Sequence, residues 1–315
     1  MTRRLLPARL ATLLAALLLA TGAVHAQGAA LRLTDDAGHE VALKHTAQRI
    51  VALAPHLTEL VYAAGAGKQL VAVGKYSDYP ADAATKPVIS DAFAVNYEVL
   101  TTLKPDLVLV WGSGTPERIK SKLRTLGIPV YEIEIRNVAG LADTLRSIGR
   151  LAGTEGVAQA RAQAIAADWA ALKASYAGRK PVRVFFQLWD APLMTLSGQH
   201  LISSAISACG GTNVFAELPT LTATVSWEVA VQRDPELVMT AGSPSEPAKP
   251  GRWAEFPQVS ATKHAGFGRI EGDLIARSGP RFVDGARELC VAIDRARQGL
   301  PQQVTPAARA AATTH

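Results

Sequence analysis

The segment from Asn96-Tyr97-Glu98-Val99 to Lys104-Pro105-Asp106-Leu107-Val108 has a second copy in the chain. It is Ser226-Trp227-Glu228-Val229 to Asp234-Pro235-Glu236-Leu237-Val238, displaced by a constant 130 positions. Glu, Val, Pro, Leu and Val recur in register without a gap, each time as an acidic helix start, a Pro-acidic turn and a buried strand. A chain that carries such a unit twice is expected to fold as two equivalent lobes, each with one glutamate at the same place.

Around the first copy, short apolar runs alternate with helical stretches: Ile50–Leu53, Leu70–Val73, Leu107–Val110 and Val130–Ile133. The pattern restarts at Val182–Phe186 and continues through Leu237–Met239. Continuous rather than alternating apolarity suits parallel strands covered on both faces. The fold class is therefore α/β, with central, mainly parallel sheets in an N-terminal lobe (27–153) and a C-terminal lobe (181–300). Residues 154–180 read as one long helix from Glu155 to Ala177, with Ile165, Trp169, Leu172 and Tyr176 on a single face. Thr154 is placed to cap its start, Gly178 to take the left-handed position after it, and Pro181 to stop it. A rigid helix joining the lobes predicts modest closure on a ligand.

The first residues, Met1-Thr2-Arg3-Arg4, lead into an apolar run through Ala11–Ala20 and on to Val24-His25-Ala26, the pattern of a secretory signal peptide cleaved after Ala26. No Cys lies near that site to take a lipid, so the mature chain is expected free in the periplasm and monomeric. Losing residues 1–26 removes Arg3, Arg4 and Arg9 and no acid, which lowers the formal charge from +6 to +3. That value is no signature of nucleic-acid binding. Residues 301–315 carry no apolar period and are expected to be disordered. Cys209 and Cys290 are the only cysteines. An even count in an exported chain points to one disulfide, with two buried thiols as the alternative, and their spacing excludes a close metal cage.

Nucleophile elbows, phosphate loops, dinucleotide fingerprints and H-E-x-x-H are absent from the sequence, which argues against an enzyme. His39, His45, His200 and His264 are scattered and read as surface or structural residues, so no metal site is expected from them. His56 differs: it follows a strand and Pro55, on the carboxyl rim where open parallel sheets bind ligands, and is a candidate to meet iron or cobalt in a ligand. The same rule puts Tyr76 and Tyr79, Trp111 and Trp189 at strand ends, forming an aromatic cleft suited to a large planar ring. Asp273 and Arg277 are spaced as a helical ion pair and are candidates for cleft polarity.

Arg49-Ile50-Val51-Ala52-Leu53-Ala54-Pro55, Thr58-Glu59-Leu60, Tyr76-Ser77-Asp78-Tyr79-Pro80 and Leu103-Lys104-Pro105-Asp106-Leu107-Val108 resemble the periplasmic binding proteins for cobalamin, haem and ferric siderophores, over about residues 49–294. The resemblance is greatest to the cobalamin-binding branch. It implies two lobes on one rigid helix, a disulfide between Cys209 and Cys290, and ligand contacts from Tyr76, Trp111, Asp273 and Arg277. Glu98 and Glu228 match that family's glutamates for docking on the membrane subunits of an ABC importer. Two departures affect the aromatic wall. Ala92-Phe93 stands near one family tryptophan and Leu221-Thr222-Ala223-Thr224 replaces another, which brings in Phe93 and Trp189 as substitutes.

The expected function is delivery of cobalamin or a related corrinoid to an ABC importer, without a cofactor of the protein's own. The alternative on the same fold is a receptor for haem or a ferric siderophore. A third reading, an exported enzyme or metal handler on this scaffold, requires an acid-base pair in the cleft.

Overall fold

The computed structural model describes residues 31–243 and 246–302. The expectations for residues 1–26 and for the tail from residue 303 onward lie outside the described residues. Leu31–Thr34 (β1) and Glu40–Leu43 (β2) pair as an antiparallel ribbon. The N-terminal lobe then runs Ile50–Ala52 (β3), Pro55–Ala63 (α1), Leu70–Gly74 (β4), Val88–Ser90 (β5) and Tyr97–Leu103 (α2). It continues with Leu107–Trp111 (β6), Glu117–Thr125 (α3), Val130–Ile133 (β7) and Val138–Ala152 (α4). Its sheet has the order β5-β4-β3-β6-β7, with every neighbouring pair parallel.

Successive residues of a strand point to opposite faces. Here Ile50, Ala52, Leu107 and Leu109 pack with Leu57, Leu60, Leu145 and Ile148 on one side of the sheet. Val51, Val108 and Val110 pack with Leu100, Ile119 and Leu123 on the other. Both faces are dry, and this is why the strands read as unbroken apolar runs.

Glu155–Tyr176 (α5) joins the lobes and is about 33 Å long at 1.5 Å per residue. Ala158, Ala162, Ile165 and Leu172 are buried along it, with Trp169 and Tyr176 half-buried against the same core. A Cβ on Gly149 of α4 would lie 2.4 Å from the Ala158 Cβ, so the glycine lets α4 and α5 pack at close range. Two details of the helix ends differ from expectation. Thr154 occupies the cap position, but its side chain makes no capping bond and its Oγ1 is buried without a partner. The helix stops at Tyr176 rather than Ala177, and Gly178, with φ of 73°, takes the left-handed position just beyond.

The C-terminal lobe comprises Val182–Gln187 (β8), Met194–Leu196 (β9), Leu201–Ala208 (α6), Gly211–Asn213 (β10), Thr222–Thr224 (β11) and Trp227–Gln232 (α7). Leu237–Gly242 (β12), Ser260–Lys263 (α8), Phe267–Glu271 (β13), Gly272–Ile275 (α9) and Phe282–Arg297 (α10) complete it. Four strands form a parallel sheet in the order β10-β8-β12-β13, while β11 pairs antiparallel with β9 as a separate ribbon. Cys209 after α6 and Cys290 in α10 form a disulfide across 81 positions of sequence. A loop of that length is worth roughly 4 kcal/mol in the chain-entropy account.

The sequence repeat is a structural repeat, and its Pro-acidic turn has a definite task. The Asp106 carboxylate accepts hydrogen bonds from the backbone N–H groups of Gln48 (2.8 Å) and Arg49 (3.0 Å), at the start of β3. The Glu236 carboxylate accepts from the N–H of Arg183 (2.9 Å), at the start of β8. Each acid thus fixes the entry of one lobe's first central strand beside the strand that follows the turn.

Candidate ligand-binding cleft

In each sheet the direction in which strands are added reverses once, between β3 and β6 in the first lobe and between β8 and β12 in the second. Adjacent connections leave such a point in opposite directions and open a crevice at the carboxyl ends of the strands. His56 follows β3, and Trp111 ends β6. Their rings meet edge-on at the N-terminal crevice, with centroids 5.2 Å apart and planes at 82°. The Trp111 ring lies against Gly114, where an added Cβ would come within 1.9 Å of Cε3, so no larger residue fits beneath it. A recess of about 170 Å³ opens here, with His56, Tyr76, Ser90, Trp111, Thr115 and Ile119 among its lining.

His56 lies inside the first turn of α1, which begins at Pro55, rather than in a loop ahead of the helix. Burial, followed by the nearby Arg277 guanidinium, lowers its pKa to about 4. The imidazole is therefore uncharged near neutrality.

The predicted aromatics are exposed at strand ends: Phe93 73%, Tyr76 69%, Trp189 63% and Trp111 38%. These rings stand in solvent at or beyond the strand ends rather than inside the core. Tyr76 follows β4 in a left-handed backbone conformation, φ 67°, which is rare for an aromatic residue and is the kind of strain that collects at functional sites. Trp189 follows β8, and its indole N–H donates to the Ala191 carbonyl at 3.1 Å. Phe93 is held by its loop: Asp91 Oδ1 accepts from the N–H groups of Phe93 and Ala94, both at 2.8 Å, and Arg118 donates to the Phe93 carbonyl.

Asp273 and Arg277 form the expected i,i+4 pair at 3.0 Å. Arg277 does more than the sequence suggested, because it reaches across to the other lobe. Its Nη1 donates to Glu59 Oε1 (3.1 Å) and Asp78 Oδ1 (2.8 Å), and its Nη2 donates to the Tyr76 carbonyl (3.3 Å). Arg281 grips Glu59 with two bonds, Nε to Oε2 at 2.9 Å and Nη2 to Oε1 at 2.6 Å, while its guanidinium lies 4.0 Å from the Tyr79 ring centroid. The Glu59 side chain is 1% exposed. The Arg277 bond, followed by other contributions, holds the Asp78 carboxyl below the ordinary carboxylate range. Glu59, Asp78 and Arg281 were not singled out from sequence. A glutamate among Leu57, Leu60 and Val61 signals a buried acid that needs a cation, but only the tertiary fold brings the partner from more than 200 positions away.

Glu98 and Glu228 stand apart from this cluster, exposed in the first turns of α2 and α7. Asn96 caps one helix by accepting from the Val99 N–H (3.1 Å), and Ser226 caps the other by accepting from the Val229 N–H (3.3 Å). His200 is structural: its Nδ1 caps α6 by accepting from the Ile202 N–H at 3.1 Å, and burial lowers its pKa to about 4. Asp35, His39 and Glu132 bring ligand-type atoms within 4.8 Å of one another. Glu132 already holds Lys120 at 2.7 Å and Arg124 at 3.3 Å, so its charge is spent within the protein.

Two parallel α/β lobes on one helix, meeting at the carboxyl ends of their strands around exposed aromatics, define a solute-binding protein. The chain belongs to the periplasmic binding protein family, whose sequence profile matches residues 50–262. This is a family of binding proteins rather than of enzymes. The chain is 34% identical over 245 residues to a vitamin B12-binding protein of Vibrio cholerae, covering 78% of this chain and 88% of that relative. It is 33% identical over 244 residues to one from Yersinia pestis, covering 78% and 85%. Among solved structures, the periplasmic vitamin B12 binding protein of Vibrio cholerae matches with a TM-score of 0.73 at 32% identity, over 80% of this chain and 98% of that one. The periplasmic haem binding protein of Vibrio cholerae matches with a TM-score of 0.68 at 23% identity, over 78% and 98%, a likeness of fold alone.

Proposed function

We propose that this protein is exported to the periplasm, binds cobalamin or a related corrinoid between its lobes, and delivers it to the membrane subunits of an ABC importer. The observation that carries the reading is the set of exposed rings at or beyond the carboxyl ends of strands: Tyr76, Phe93 and Trp111 on the N-terminal lobe, of which Tyr76 and Trp111 line the recess, and Trp189 on the C-terminal lobe. Aromatic side chains give a flat ligand much contact area at small entropic cost, and the 170 Å³ recess serves as one wall of a larger site. Relatives whose names specify vitamin B12 support the choice of ligand. In this reading Asp273 and Arg277 supply polar contacts at the rim. Glu98 and Glu228, one per lobe and equivalent in the repeat, dock on the two membrane subunits, where paired charges contribute steering and register.

Titration of the mature protein with cyanocobalamin, dicyanocobinamide and haemin, read by absorbance and calorimetry, tests the proposal. Tight binding of the corrinoids and weak binding of haemin is the expected result. One observation favours a second reading, a haem receptor. The neutral His56 imidazole borders the recess and has the chemistry of an axial ligand to a bound metal. That reading requires a haem-only Soret shift abolished by His56→Ala.

A further inference from the structure

The charges around the cleft are settled within the protein before any ligand arrives. Arg277 is engaged by Glu59, Asp78 and Asp273, and Arg281 by Glu59 in a two-point grip. Two guanidinium groups therefore face three carboxylates. The acids surplus to Glu59 are the accessible ones, with Asp78 and Asp273 side chains 60% and 47% exposed. Lys75 is the one Lys or Arg lining the recess among the described residues, and Asp91 lines the same recess. On the second lobe, Arg269 in the middle of β13 is paired with Glu246 at 2.5 Å. The His56 ring beside Trp111 adds no charge.

We infer that Asp78 and Asp273 are specificity-determining residues, which make the cleft select a ligand whose polar fringe is uncharged and reject the same ring when it carries carboxylates. The inference rests on the corrinoid reading and sharpens it. An arginine recognises a carboxylate through a two-point fork, and the Arg281 fork is already filled by Glu59 while both Nη groups of Arg277 are taken. An incoming carboxylate meets no free fork and lies beside surplus negative charge. A carboxamide can still donate to Asp78 or Asp273. At separations near 6 Å in a half-solvated cleft, one surplus like charge weakens binding about tenfold. Such a filter is a device of exclusion, since it acts through what it repels.

The test compares cyanocobalamin with its singly hydrolysed forms, in which one propionamide of the ring has become a carboxylate. Ring, metal and size stay the same and only the charge changes. The wild-type protein is expected to bind the carboxylate forms about tenfold more weakly, with the ratio narrowing as salt rises. In Asp78→Asn and Asp273→Asn the ratio of the two affinities is expected to fall toward one. Because both aspartates are partly exposed, these variants are expected to fold, and the salt series on the wild type gives a readout that needs no variant. Equal affinity of the wild type for amide and carboxylate forms, or a ratio unmoved by salt and by both substitutions, overturns the inference while leaving the corrinoid reading intact. Absence of binding to cyanocobalamin itself overturns the corrinoid reading.

Discussion

Lys104 and Asp234 hold the same left-handed backbone conformation, with φ of 47° and 46°. They stand at equivalent points of the repeat, each leading into a Pro-acidic turn and then a central strand. Neither is a glycine: Lys104 accepts a conformation that costs an ordinary residue roughly 1–2 kcal/mol, whereas Asp234 is of a type that enters it more readily. A left-handed turn at the same place in both lobes leads out of the preceding helix, and those helices carry Glu98 in one lobe and Glu228 in the other.

The equivalence leads to a prediction on transport. Glu98→Ala combined with Glu228→Ala is expected to leave the affinity for cyanocobalamin within about twofold and to abolish uptake through the cognate importer, with the single variants intermediate. Calorimetry and uptake assays check the two halves separately. Loss of ligand affinity in the double variant would place the acids in the cleft and end the docking role.

Glu59 joins the lobes through a buried acid shared by two arginines. Glu59→Gln keeps the shape and removes the charge, leaving Arg281 without its carboxylate in a site where it is 18% exposed, while Arg277 keeps Asp78 and Asp273. Breaking a buried pair from one side costs about 3 kcal/mol or more. Urea unfolding is expected to show a loss of that order, and small-angle scattering a broader distribution of lobe separations. A variant as stable as the wild type would show that the contact is not needed to hold the lobes together.

Stability should fall with acid in a window set by two histidines. His56 and His200 both have folded-state pKa values of about 4 against an ordinary 6.5. A group whose folded pKa is depressed lets the unfolded chain bind the proton first. The contribution is therefore complete above pH 6.5 and is lost as the pH falls from there to about 4. For the fully buried His56 this is on the order of 3 kcal/mol. Denaturant titrations at pH 7, 6, 5 and 4.5 are expected to show a slope approaching two protons. His200→Asn, which keeps a capping acceptor, is expected to reduce the slope by about one proton.

Gly114 supports Trp111 by having no side chain. In Gly114→Ala the new methyl occupies the space of the indole, so the ring must leave its place beside His56. Corrinoid affinity is expected to drop at least tenfold, while the melting temperature moves little because the site is a surface loop. Fluorescence of the apo protein gives an independent readout of the displaced indole, and unchanged affinity would remove Trp111 from the binding surface.

Much of the architecture was legible because it follows from local chemistry. The apolar runs at Ile50, Leu107 and Val182 predicted strands covered on both faces, and the spacing of Ile165, Trp169 and Leu172 predicted the buried side of the long helix. The expected position of His56, Tyr76, Trp111 and Trp189 at or just beyond the carboxyl ends of strands was legible because the direction of a parallel strand follows from its connections. Helix-end details were harder. Thr154 has a capping residue's chemistry, yet its hydroxyl is buried out of line with the first turn. The clasp of Glu59 with Arg277 and Arg281 was beyond reach, since nothing local indicates that a helix near residue 59 and a loop near residue 280 meet.

The parallel sheets have a consequence for how such a protein can diverge. Residues that secure folding, such as Val51, Leu109 and Phe185, lie inside the layers, and the residues proposed to meet a ligand lie at or beyond the carboxyl ends of the strands. The two sets hardly overlap, so substitutions that alter ligand choice need not carry a folding penalty. A lineage built on this scaffold can exchange one nutrient for another by rewriting a few loop positions, while selection on the core continues undisturbed.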